Sequence, residues 1–214
     1  MQVNLAARAA AAEAKRAQTR DRLLAAAERV IAEKGVDAAS IEDFVAAAGV
    51  SRGTFYNYFP SLADLVAALN QSIAASMGHL LDALPFDEDP ARDLARRLHL
   101  GFAMAIRDPV RGWVLLRLIP AGAARQSLME ERFMAAFARC VERGRFRACD
   151  PRAASTLTFG MLRMAQRDML VGSTQPEKAI ELIAMLFVAF GLDPEDAAAI
   201  SAAAAEGAYD TAAT

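Results

Sequence analysis

Residues 47–60 read AAGVSRGTFYNYFP, and the reading of this stretch decides the fold. Phe55, Tyr56, Tyr58 and Phe59 crowd into one short, partly polar run of a chain otherwise rich in alanine, leucine and arginine. Aromatics placed so closely either plug a core or form a surface that touches a partner. Pro60 cannot continue a helix, so a helix that starts after Ser51 ends near Phe59. Gly49 can supply the positive φ that a tight interhelical turn needs. Upstream, Ser40 and Asp43 make a capping-box pattern, which opens a helix that ends at Gly49. Two short helices joined through Ala48-Gly49-Val50 make a helix-turn-helix, whose second helix enters the major groove of DNA.

On that reading the aromatics divide between two faces. Phe44, Ala48, Val50, Phe55 and Phe59 form the side that holds the two helices against a preceding one. Arg52, Gly53, Thr54, Tyr56, Asn57 and Tyr58 face outward, with short or planar hydrogen-bonding groups suited to base edges and phosphate oxygens. Gly53 lets the helix backbone come close to DNA. Ser40 and Ser51 stand at helix N-termini, where a cap can also hold a phosphate.

Working outward, the whole chain reads as all-α. Alternating Val/Ile/Thr runs and Asn-Gly or Asp-Gly hairpin turns are missing. Helix 1 is expected from about Arg20 to Lys34, with Leu23, Leu24, Ala27, Val30 and Ile31 on one face. Helix 4 follows Ser61, whose partner Asp64 makes a second capping box, and runs towards Pro85. Asp-Pro pairs at 89–90, 108–109, 150–151 and 193–194 each mark a helix start, the Asp as cap and the Pro at the first helical position. The remaining helices are expected at 90–107, 109–119, 123–144, 151–172 and 176–191, with a short tail helix after Pro194. Three parts follow: a flexible basic arm over 1–18, a helix-turn-helix domain over 19–60, and a helical body over 61–214.

The totals narrow the function classes. The chain has 214 residues, is 55% hydrophobic and carries a net charge of −2. Its longest apolar candidate, residues 183–192, is about half of what a bilayer span needs. The N-terminus has no apolar core of a secretory signal, so a cytoplasmic location is expected. Cys140 and Cys149, with only His79 and His99 beside them, offer no metal spacing and no disulfide framework. Residues 1–20 hold four basic side chains against Glu13 alone, whereas residues 21–70 hold four basic against seven acidic. Positive charge is thus concentrated in the arm, and Arg16 and Arg20 are expected to reach phosphate or the adjacent minor groove. No nucleophile elbow, dinucleotide fingerprint, zinc-protease helix or phosphate loop appears, so no catalytic residue, metal or cofactor is assigned. An all-helical carrier or enzyme with an incidental helix-turn-helix is the competing reading. A non-specific architectural protein would need far more basic charge.

The segments AAERVIAEKG and SIEDFVAAAGVSRGTFYNYFPSLADLVAAL resemble the tetracycline-repressor (TetR) family of bacterial transcriptional regulators over about residues 20–70. The resemblance implies a homodimeric repressor that binds a palindromic double-stranded DNA operator and is released by a small-molecule effector in its C-terminal domain. Three positions depart from the family pattern. Leu62 replaces a common lysine, Val45 a small residue, and Glu42 a frequent basic or neutral one; a carboxylate there would repel the DNA backbone if it faced it.

In the body, Phe102, Met104, Trp113, Leu116, Phe133, Phe137 and Met164 are expected to line an apolar pocket, with Arg117 to orient a ligand. After Leu98 the helix over 90–107 is apolar nearly all round, as a buried central helix would be. Leu157, Gly160 and Met161 on one helix, and Ile180, Ile183, Ala184 and Phe187 on another, recur at helical spacing. The resemblance makes these last two helices the dimer interface. Gly160 costs nearly 1 kcal/mol against Ala in a helix, which close helix approach would explain.

Overall fold

The computed structural model describes residues 2–118 and 128–211, with side chains described over 7–118 and 129–206. Ten α-helices and no strand occur among the described residues, and none of these helices is long and apolar enough to cross a membrane. The chain divides into two compact units, Met1–Ile73 and Ala74–Thr214.

The first unit holds α1 (Gln2–Lys34), α2 (Ile41–Ala48), α3 (Arg52–Tyr56) and the start of α4 (Leu62–Ala83). α1 is helical from Gln2, not from Arg20, so the segment read as a flexible arm continues the first helix. Only its C-terminal half carries a buried face: Leu23, Leu24, Ala26, Ala27, Val30 and Ile31. These are buried together with Phe44 of α2, Phe55 of α3 and Phe59, and Phe44 and Phe55 are wholly inaccessible. Each of the leucine, valine, isoleucine and phenylalanine side chains among these stabilises the unit by roughly 1.5–3 kcal/mol. Gly49 adopts φ 62° and nothing lies within 4 Å of where its Cβ would stand, so the turn asks for backbone freedom and not for space. α3 stops at Tyr56, slightly short of the expected end.

The second unit contains the rest of α4, then α5 (Pro90–Arg107), α6 (Pro109–Leu118), α7 (Leu128–Glu142), α8 (Pro151–Leu170), α9 (Lys178–Ala189) and α10 (Pro194–Thr211). All four Asp-Pro pairs start helices. Asp89 accepts from the Ala91 amide at 2.9 Å, and Asp150 accepts from the Arg152 amide at the same distance. Of the helix expected over 123–144, residues 123–127 lie outside the described residues. α5 is the central rod, buried nearly all round, with α6, α7, α8, α9 and α10 packed on it. The tail helix is longer than expected and inserts Ala197, Ile200 and Ala204 into the core. Phe137 meets Phe190 at 5.0 Å and Phe146 at 5.6 Å between ring centroids, knitting the helix ends of this unit together.

Candidate nucleic-acid interface

α3 is held by its inner face and capped at its start. Ser51 Oγ accepts from the Thr54 amide at 3.1 Å and lies 2.9 Å from Thr54 Oγ1. Ser40 is similarly committed as a cap. Its hydroxyl donates to Asp43 Oδ2 at 2.9 Å, and its amide donates to the same oxygen at 3.0 Å. Lys34 closes the corner with a 2.7 Å bond to Asp43 Oδ1. That bond first, and Ser40 second, hold the Asp43 carboxyl down at about 2.

Buried Phe55 fixes the rotation of α3, so that Arg52, Gly53, Tyr56 and Asn57 are exposed while Thr54 and Tyr58 are half-buried. The Gly53 Cβ position meets only Ser51 Oγ, at 3.9 Å, leaving the backbone open to an approaching ligand. Arg52 donates to the Glu42 carboxylate and, at 3.4 Å, to the Tyr56 hydroxyl. The Tyr56 hydroxyl and the Glu42 charge keep the guanidinium above its ordinary pKa.

The N-terminal half of α1 adds a second wall. Lys15, Arg16, Thr19 and Arg22 face Ser51, Thr54 and Tyr58 across an open groove within this unit. The Arg16 guanidinium lies 5.9 Å from the Tyr58 ring centroid, and that of Arg20 lies 5.7 Å from the Phe59 centroid. Both arginines are therefore tied to aromatics of the recognition segment. Lys15, Thr19 and Arg22 were not among the expected contacts. Their i, i+4, i+7 spacing would have placed them there had helix 1 been extended upstream.

In the body, the residues expected to line one pocket fall into separate places. Phe102, Phe133 and Phe137 are plain core. Met104 packs on a smaller cluster of Leu81, Leu84 and Leu100. Arg117 stacks over Trp113 at 5.0 Å, and the Leu116 carbonyl accepts from Arg163 at 2.9 Å. Met164 is 60% exposed, because the buried face of α8 runs through Ala154, Thr158, Leu162 and Ala165.

The expected interface residues also divide. Leu157 and Gly160 are exposed, and Met161, Ile180 and Ala184 are half-buried. Ile183 and Phe187 lie in the core, since α9 turns Ala179, Ile183, Leu186 and Phe187 inward. Met185 and Val188 occupy the outward face that the reading missed. Among the described residues no neighbour lies within 4 Å of the Gly160 Cβ position, so no close approach among them accounts for that glycine. Cys140 is buried, and burial pushes its thiol up to about 12, which disfavours a reactive thiolate. Among the described residues no group of three or more His, Cys, Asp or Glu side chains could hold a metal ion.

Comparison with known proteins agrees with this geometry. The family model described as "Bacterial regulatory proteins, tetR family" matches residues 23–69. The uncharacterized HTH-type transcriptional regulator YvdT of Bacillus subtilis is 44% identical over 64 residues, which span 30% of this chain and 31% of that relative. The HTH-type transcriptional regulator EthR of Mycolicibacterium smegmatis is 26% identical over 181 residues, covering 78% of this chain and 82% of EthR. The solved structure of RolR in complex with resorcinol is 30% identical, with a TM-score of 0.61 over 88% of this chain and 95% of RolR.

Proposed function

The chain belongs to the tetR family of bacterial regulatory proteins and is a DNA-binding transcriptional regulator, and from that premise we propose that it is a homodimeric repressor released from a palindromic operator by a small ligand. The family is regulatory and not enzymatic. The observation that carries the DNA part is the outward face of α3, where Arg52, Tyr56 and Asn57 stand exposed on a helix anchored by fully buried Phe55. Arg16, Arg20, Ser40, Ser51, Thr54 and Tyr58 supply the surrounding contacts to phosphate and sugar. We assign 1–18 as the basic arm of this domain, 19–60 as its helix-turn-helix, and 61–214 as the ligand-binding and dimerisation domain.

Support for the dimer comes from α8 and α9, where Leu157, Met164, Met185 and Val188 are large apolar side chains left exposed. A partner seated there would cover them and would come close to Gly160. Two recognition helices about 34 Å apart would then meet successive major-groove turns. The effector is proposed as a small apolar or amphipathic molecule. RolR, which shares this fold at 30% identity, holds resorcinol, so small aromatic diols are the first probes. The working place of such a regulator is the cytoplasm.

Selection of duplexes from a random pool by the purified protein, in moderate salt and without ligand, tests the reading. Enrichment of a palindrome supports it, while a folded dimer that enriches nothing sinks it. If about six phosphates are neutralised, log K falls with log[salt] at a slope near −5. A slope steeper than about −10 contradicts sequence-specific binding by so few charges.

A further inference from the structure

Glu42 and Arg52 lie ten residues apart on different helices, yet Oε1 of Glu42 accepts from Nη1 of Arg52 across the turn. Nη2 of the same guanidinium donates to the Tyr56 hydroxyl at 3.4 Å, and the guanidinium carbon stands 5.8 Å from the Tyr56 ring centroid. The Tyr56 ring in turn sits edge-on to buried Phe55, with centroids 5.5 Å apart and planes at 88°. One connected chain therefore runs from the core of the unit to the tip of α3. The Glu42 and Arg52 side chains are 63% and 61% exposed. An ion pair that open contributes little to folding, so its consequence lies elsewhere, at the surface it shapes.

We propose that Glu42 is a specificity-determining residue of the DNA interface, which weakens the hold of Arg52 on charged phosphates while leaving it free for an uncharged base edge that offers two acceptors. This rests on the reading that α3 enters the major groove. On a non-cognate duplex, a phosphate that meets the free edge of Arg52 brings its negative charge up to the Glu42 carboxylate, which repels it. At a guanine, O6 and N7 can both be met by the Nε–Nη2 edge while Nη1 stays on Glu42, so the pair survives. Discrimination of this kind comes from a built-in repulsive element and not only from better cognate contacts. Tyr56, itself packed edge-on against Phe55, holds the guanidinium against its own ring and hydroxyl.

The test compares wild type, Glu42→Gln, Arg52→Gln and the double variant on two duplexes of equal length, the site that wild type selects from the random pool and a scrambled sequence. Glu42→Gln is expected to bind the scrambled duplex roughly threefold to tenfold tighter and the selected site by less than about twofold, so that the ratio falls. In the Arg52→Gln background, removing the carboxylate is expected to tighten both duplexes alike. Equal tightening of both by Glu42→Gln alone overturns the proposal, because the carboxylate then merely repels phosphate. Loss of both affinities at unchanged helix content overturns it as well. If wild type selects no site at all, the groove-entry reading itself has failed and this proposal falls with it. A selected site with an unchanged ratio removes the proposal alone.

Discussion

Lys34 Nζ in the last turn of α1 donates to Asp43 Oδ1 at 2.7 Å, while the other oxygen of that carboxylate accepts from the amide and hydroxyl of Ser40. One carboxylate therefore joins α1 to α2 and closes the cap of α2. Its native pKa of about 2 lies below the ordinary 3.8. An unfolded chain takes up this proton first as pH falls, so the stabilisation is whole above about pH 4 and is lost towards pH 2. We expect the melting temperatures of wild type and Asp43→Asn to differ at pH 6 and to converge as the pH falls to about 2 and below. A gap that stays constant across that range would rule the linkage out. Ser40→Ala is expected to cost about 1 kcal/mol by loss of the cap, read from urea unfolding.

Adjacent residues of α3 separate folding from binding. Phe55→Ala is expected to lower stability by roughly 3–5 kcal/mol, as its ring is fully enclosed. Tyr56→Ala and Asn57→Ala are expected to leave the melting curve near wild type and to weaken operator binding by ~1–3 kcal/mol each. Unchanged operator affinity in both would remove α3 from the interface.

On α8 and α9 the same separation distinguishes assembly from core. Leu157→Glu or Met164→Glu is expected to shift sedimentation from dimer to monomer with helix content retained. Phe187→Ala, which opens the core, is expected to cost roughly 3–5 kcal/mol before any effect on assembly appears. If wild type sediments as a monomer at micromolar concentration, the exposed stripe has some other role.

Buried His99 gives a second pH signature, at higher pH. Ser201 Oγ donates to the Ile180 carbonyl at 2.8 Å and lies 3.1 Å from His99 Nε2. Nε2 is therefore the donor to Ser201 in a neutral ring. Burial pushes the imidazole down to about 4 from an ordinary 6.5. The unfolded chain binds the proton first, so stability is full above about pH 6.5 and declines towards pH 4. The urea midpoint of His99→Gln is expected to vary less than that of wild type between pH 7 and 4.5. An equal pH response in both would exclude His99 as its source.

The helix starts were legible because they rest on local chemistry. Ser40 with Asp43, Ser61 with Asp64, and the four Asp-Pro pairs act within three residues, and each opens a helix. Gly49 was legible for the same reason. What failed was rotation and extent. In α9, Ile183 and Met185 are both apolar, and only the packing of α9 on α5 and α10 selects which is buried. The periodicity of α8 likewise fitted two faces, and Met164 falls on the outer one. The upstream half of α1 has no apolar stripe, so a rule that looks for buried faces could not find it. The Glu42–Arg52 pair joins two helices across a turn, and no pattern within either helix announces it.

From Ala7 to Arg22 every residue of α1 except Thr19 is exposed, although the helix is continuous to Lys34. At about 1.5 Å per residue the whole helix is ~50 Å long, and its upstream half buries no apolar face, the Arg16 contact with Tyr58 being its tie to the recognition segment. Such a segment unwinds gradually with temperature, while the packed helices go together. Ellipticity at 222 nm will therefore drift downward well before the emission of Trp113 changes. The two melting curves will not superimpose, and in this protein that mismatch marks fraying of one long helix and not a populated folding intermediate.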